Sequence, residues 1–123
     1  MPIEKSAVAV LASQSVAAGS TKTAPAVTGS SVDCRAYYGG ELTWKITNGS
    51  SSPGVAGAIT FQVSHDGSNW YDYYTAGGDT VASSVNSNSI ALDRGVMYLR
   101  AIAYGNTTNA VTVEVQLQAV TAL

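Results

Sequence analysis

Residues 59–74, ITFQVSHDGSNWYDYY, constrain the chain more than any other stretch, because they hold a strand, a reversal and an aromatic return strand in one run. Ile59, Phe61 and Val63 alternate with Thr60, Gln62 and Ser64, so one side of a pleated strand is apolar and the other can meet water. Asp66-Gly67 comes next, a residue that tolerates a left-handed backbone followed by one for which it carries no steric penalty. The pattern predicts a β-hairpin reversing there.

The same period of two recurs elsewhere. In residues 41–47, Leu42, Trp44 and Ile46 alternate with Thr43 and Lys45, and near the end Val111, Val113, Val115 and Leu117 alternate with Thr112, Glu114, Gln116 and Gln118. Met97, Leu99, Ala101 and Ala103 share one face of a further strand, expected to be central, whose other face carries Tyr98, Arg100, Ile102 and Tyr104. Residues 76–79, 93–95 and 105–109 read as turns, 83–89 as a polar run leading to a short strand at 90–92, and 48–58 (NGSSSPGVAGA) as a mobile connection broken by Pro53 and glycines. No segment shows a convincing 3.6-residue apolar period. The predicted fold is all-β, about seven or eight strands packed as two antiparallel sheets, an immunoglobulin-like or jelly-roll sandwich.

A chain of 123 residues fits one domain. Residues 6–32 are almost free of charge, rich in Ala, Ser, Thr and Val, and interrupted by Gly19, Pro25 and Gly29, which leaves extended structure. Val8 and Val10 lie in a run apolar on both faces, as expected of a strand covered by its own domain or by a neighbouring subunit. The expected organisation is an extended N-terminal arm or first strands over residues 1–32 and a β-sandwich over 33–123.

Charged residues make up 11% of the chain, against roughly 25% in an average domain, so Ser, Thr, Asn, Gln and Gly must cover its surface. Such an exterior repels neighbouring copies weakly and suits a dense assembly. A net charge of −2 with scattered cations offers no footprint for nucleic acid. The first residues are too short and too interrupted for a signal segment or a membrane span, so neither membrane nor secretion is expected and folding is placed in a cytoplasm.

Catalytic chemistry finds few candidates. The single histidine, His65, sits beside a turn and reads as a solvated turn residue, and the single cysteine, Cys34, reads as a small apolar filler. Asp66, Asn69 and Asp72 gather oxygen ligands as a calcium loop would, yet turn chemistry accounts for them. No carboxylate pair is nominated for glycosidic work. Neither an enzyme nor a cofactor or metal is expected. Asn48-Gly49-Ser50 and Asn106-Thr107-Thr108 match the glycosylation sequon, and both asparagines read as loop residues. The stronger candidates for contact with a protein or a glycan are Trp70, Tyr71, Tyr73, Tyr74, Tyr37 and Tyr38, whose apolar rings with polar tips suit half-buried surfaces. For Trp44 and Trp70 a place in the core is the plainer reading, whereas Tyr73 and Tyr74, being adjacent, cannot both point inward on a regular strand.

The phrase Ser64-x-Asp66-Gly67-x-Asn69-Trp70 and the later strand Met97-Tyr98-Leu99-Arg100-Ala101-Ile102 resemble small β-sandwich structural proteins of tailed bacteriophages. The same strand-turn-tryptophan phrase is found in some bacterial surface modules. The resemblance covers roughly residues 41–120 and implies binding without catalysis. It implies a virion protein made in the host bacterial cytoplasm, a capsid decoration (cement) protein contacting the major capsid protein or other virion proteins, or a neck, tail or fibre component. The sparsely charged N-terminal stretch to residue 32, expected to lace onto neighbours in a homo-oligomer, suits a cement protein. The rival expectation is a carbohydrate-binding module in which Trp70, Tyr71 and Tyr73 stack on sugar rings.

Overall fold

The computed structural model describes residues 2–123, which form nine strands and no helix: β1 (Glu4–Val16), β2 (Val27–Thr28), β3 (Val32–Asp33), β4 (Gly40–Asn48), β5 (Ala58–Ser64), β6 (Tyr71–Gly77), β7 (Val85–Leu92), β8 (Tyr98–Tyr104) and β9 (Val111–Ala122). One sheet runs β1-β9-β4-β7; the other runs β2-β8-β5-β6, with β3 also on β8, and every pairing is antiparallel. The pairs β1 with β9, β2 and β3 with β8, β4 with β7, and β5 with β6 nest like one long hairpin whose tip is the 65–70 turn. Successive pairs fall in alternate sheets, so the hairpin is rolled up. This is the jelly-roll arrangement and not the immunoglobulin-like one.

The alternating strands fill the space between the sheets. Leu42, Trp44 and Ile46 from β4 and Val111, Val113, Val115 and Leu117 from β9 face Ile59 and Phe61 from β5 and Leu99, Ala101 and Ala103 from β8, and all are buried. Phe61 has no exposed surface and packs its ring against Trp44, 5.5 Å between centroids, and against Tyr74, 6.3 Å. Strand β8, paired on both sides, is central as expected.

The N-terminal segment supplies strands to both sheets. Strand β1 pairs with β9 from Glu4 opposite Ala122 to Val16 opposite Val111, and Val10, Leu11 and Val16 lie in the core. Residues 17–26 bring Lys22 to Asp72 on the far edge strand β6, so this connection lies over the outer face of the second sheet. Thr60 and Ile102, on that outer face, are buried. Residues on both sides of position 32 thus build the same two sheets.

Strand β7 is longer than its sequence suggests. Val85-Asn86-Ser87-Asn88-Ser89 reads as a polar run, yet it pairs with β4 in unbroken register. An edge strand whose side chains are mostly exposed needs no apolar face, and so shows no period of two. Residues 49–57 form a connection as expected, but a tied one: Gly54 N–H donates to Thr107 O (3.0 Å), Thr107 N–H to Val55 O (3.3 Å) and Asn109 Nδ2 to Ser52 O (2.8 Å).

The asparagines of both sequons are buried pins. Asn48 Nδ2 lies 2.9 Å from Asp79 O, Asp79 Oδ1 and Val81 O, tying the end of β4 to the β6–β7 connection. Asn106, with no exposed surface, donates from Nδ2 to Val16 O (3.1 Å) and Asn109 O (2.9 Å), while its backbone carbonyl accepts from Gly19 N–H (2.9 Å). It therefore joins two connections that meet at one end of the sandwich.

The predicted reversal occupies residues 65–70, with Gly67 left-handed at φ +80° and no atom within 4 Å of where a Cβ would stand. A side chain at Gly67 thus meets backbone strain and no clash. Gly67→Val is expected to destabilise the protein by about 1–2 kcal/mol more than His65→Ala, because a β-branched residue is strongly disfavoured there. Equal denaturant midpoints for the two variants would refute this account of the turn.

Candidate binding site at the loop end

Strands β4, β6 and β8 begin at the same end of the sandwich where β5, β7 and β9 finish, as the register of Gly40 opposite Leu92 and Ser64 opposite Tyr98 requires. Connections 34–39, 65–70 and 93–97 cluster there, and Glu4 opposite Ala122 brings both ends of the chain to the same place. Two clefts open on this end. Val63, His65, Tyr71, Tyr73, Val96 and Met97 line one of about 420 Å³. Lys5, Tyr38, Glu41, Arg94 and Gln118 line another of about 520 Å³, and Asp93 and Arg94 on the turn between β7 and β8 lie on opposite clefts.

A β-bulge decides where the tyrosines point. Phe61 pairs with Tyr74 and Gln62 with Asp72, which leaves Tyr73 as the extra residue on β6. Both adjacent tyrosines then turn to the core side, contrary to expectation for a regular strand. Tyr74 packs against Trp44 at 5.5 Å and Phe61, and Tyr73 uses its hydroxyl to donate to Ala91 O (3.1 Å) and to accept from Asp93 N–H (3.2 Å). Tyr71, opposite Val63, remains 57% exposed, with its ring stacked on His65 at 6.1 Å.

Trp70 lies on the other side of this sheet. The Arg100 guanidinium sits over its ring, 4.5 Å from the centroid, and Arg100 Nε donates to Gln62 Oε1 (2.8 Å). Gln62 Nε2 donates in turn to Asp72 Oδ1 (3.1 Å), the carboxylate paired with Lys22. Trp70, Tyr71 and Tyr73 therefore share no single stacking platform. Tyr37 packs against the core, and Tyr38, 48% exposed, belongs to the second cleft. Of the six aromatic candidates, only Tyr71 and Tyr73 are brought together around one cleft. Met97, exposed beside them, was not among the contact candidates, and its alternation with Leu99 obscured it.

The oxygen-rich turn holds itself. Asp66 Oδ1 accepts from Ser68 N–H and Asn69 N–H, each at 2.8 Å, and Oδ2 accepts from Asn69 Nδ2 at 2.6 Å. Asp72 is engaged elsewhere, and among the described residues no three His, Cys, Asp or Glu side chains converge as metal ligands. Asn69 and Ser68 hold the Asp66 carboxyl well below the usual carboxylate range, and the Arg35 side chain lowers Asp33 to about 2. A carboxyl whose pKa is depressed on folding stabilises the fold above its unfolded value, near about 3.9, and loses that contribution as pH falls through the folded value. The stability gap between wild type and Asp66→Ala should accordingly be widest above about pH 4 and narrow on acidification. Denaturant midpoints across that range check it; a constant gap would show that these donors do not hold the charge.

Cys34 is buried, its Sγ 3.7 Å from Val32 O, and burial pushes the thiol up to about 11. It packs as a small apolar side chain with its proton on. His65 is exposed, with Nε2 3.5 Å from Asp66 Oδ2.

No protein-family profile matches the chain, and no curated protein matches it in sequence. The fold has counterparts among solved structures. A cleaved adhesin domain of Lys-gingipain from Porphyromonas gingivalis superposes with a TM-score of 0.51 at 12% identity, over 73% of this chain and 60% of the adhesin domain. The VP2 subviral particle protein of infectious bursal disease virus superposes with a TM-score of 0.52 at 8% identity, over 94% of this chain and 32% of VP2. The chain thus spans less than two thirds of either neighbour. At these identities the likeness is one of β-sandwich fold.

Proposed function

We propose that the chain is a non-enzymatic structural protein of a tailed-phage virion, a capsid decoration (cement) protein that holds to the shell through its loop end. The observation that carries this reading is the placement of Tyr71 and Met97, large side chains left exposed around one cleft at the loop end of a sparsely charged sandwich. The resemblance of the sequence phrase to phage structural proteins and the fold likeness to a protein of a viral particle support it. The partner is the major capsid protein or another virion protein, and the site of synthesis is the host bacterial cytoplasm. A neck, tail or fibre position uses the same surface.

Particles of a phage encoding this chain should contain it in many copies by quantitative mass spectrometry. Purified protein should co-sediment with shells stripped of it, and the paired changes Tyr71→Ala and Met97→Ser should lower that binding by about tenfold or more while leaving the melting temperature nearly unchanged. Absence from particles would overturn the reading. The exposed Tyr71 ring favours one alternative, a glycan-binding module. Binding to a neutral glycan lost in Tyr71→Ala, with no co-sedimentation, would establish that alternative instead.

A further inference from the structure

The second cleft carries its own chemistry. Among the described residues Lys22 is paired with Asp72 and Arg35 with Asp33, Arg100 is bonded to Gln62, and Lys45 stands across the strand from Glu114. Lys5 and Arg94 have no carboxylate within ion-pair distance and no side-chain hydrogen bond, yet both line the cleft of about 520 Å³ together with Tyr38, Glu41 and Gln118.

The backbone beneath them is closely tied. Lys5 lies opposite Val120, whose N–H donates to Gly39 O (3.0 Å) and whose carbonyl accepts from Tyr38 N–H (2.8 Å). Gly39 has φ +72°, and a Cβ there would stand 2.5 Å from Leu92 O and 3.0 Å from Arg94 N. Only glycine permits this approach, and it fixes the backbone of Tyr38 beside that of Arg94. The backbone that carries these two cations and the half-exposed aromatic ring is thus held around one opening by β1, β4, β9 and the β7–β8 turn, so a ligand has only side chains to order.

We propose that this cleft binds an acidic saccharide, a uronic or sialic acid residue. The sugar carboxylate is taken by Arg94 and Lys5, the ring lies against Tyr38, and Glu41 with Gln118 meets the hydroxyls. Glu41 on the same rim repels a compact, more highly charged anion such as phosphate more than a single sugar carboxylate, and its carboxylate can accept from sugar hydroxyls. A cleft of this size matches small-ligand sites of roughly 300–1,000 Å³. The site uses none of Val63, His65, Tyr71, Tyr73 or Met97, so it stands or falls apart from the shell-binding reading.

Amide chemical shifts of the full chain titrated with sodium glucuronate test it, with methyl glucoside, acetate, inorganic phosphate and an oligoglutamate peptide as comparisons. Glucuronate is expected to shift amides in 38–41, 92–95 and 118–120, with affinity falling as salt rises. Arg94→Gln, Lys5→Gln and Tyr38→Ala should each weaken it by about tenfold, and methyl glucoside should bind comparably weakly. Tyr71→Ala should leave it unchanged, and thermal melts confirm that each variant is folded. No response to glucuronate overturns the proposal. So does acetate or phosphate binding as tightly with Tyr38→Ala harmless, which marks a bare cationic patch, or tighter binding of oligoglutamate at the same amides, which marks a peptide site.

Discussion

Deletion of residues 2–16 is expected to abolish cooperative folding. The truncation removes β1, takes Val10, Leu11 and Val16 out of the core and strips β9 of one of its two partners along most of its length. Burying each such side chain stabilises a fold by about 2 kcal/mol, so the core loss alone is on the order of 6 kcal/mol, against a total stability of about 5–15 kcal/mol for an ordinary domain. The freed edge of β9 is also a template for pairing with other chains. The truncated protein should therefore aggregate or show no sharp thermal transition. A soluble, cooperatively melting truncation would show that residues 17–123 form a domain without β1, in keeping with the arm reading of the sequence.

Phe61→Ala is expected to cost about 3–5 kcal/mol, the largest effect anticipated for a single substitution. Phe61 comes from β5 in one sheet and meets Trp44 from β4 in the other, with Tyr74 closing the side, so its removal leaves a void that neither sheet can fill without moving. Phe61→Leu should recover most of that loss. Urea unfolding of the three proteins measures it, and a loss below about 1 kcal/mol for the alanine variant would mean that the core collapses around the void.

The two clefts give the same end of the molecule two separable surfaces. Tyr71 and Met97 face one, and Lys5, Arg94 and Tyr38 face the other. Shell binding and saccharide binding consequently depend on different substitutions, and loss of one with retention of the other distinguishes them.

The sequence alone determined the sheets wherever a strand is buried on one face. In β4 and β9 the period of two marks the inner residues, because burial on one side and exposure on the other select alternate side chains, whereas on β5 the alternate residues Thr60, Gln62 and Ser64, expected to meet water, are buried as well. Gly67 was legible too, since a left-handed turn position favours glycine for a purely local reason. What only the tertiary structure decided lies where neighbours set the environment. Strand β7 is an edge and has no apolar face to display, and β1 becomes a strand of the sandwich only through β9, roughly a hundred residues away in sequence. The bulge on β6 turns both Tyr73 and Tyr74 inward by adding one residue to a register that β5 dictates. Asn48 and Asn106 became buried pins because distant connections supply their acceptors. Lys5, Tyr38 and Arg94, scattered along the chain, meet only because Val120 and Gly39 hold three segments together. Local pattern encodes which way a side chain faces, and long-range pairing decides what it then meets.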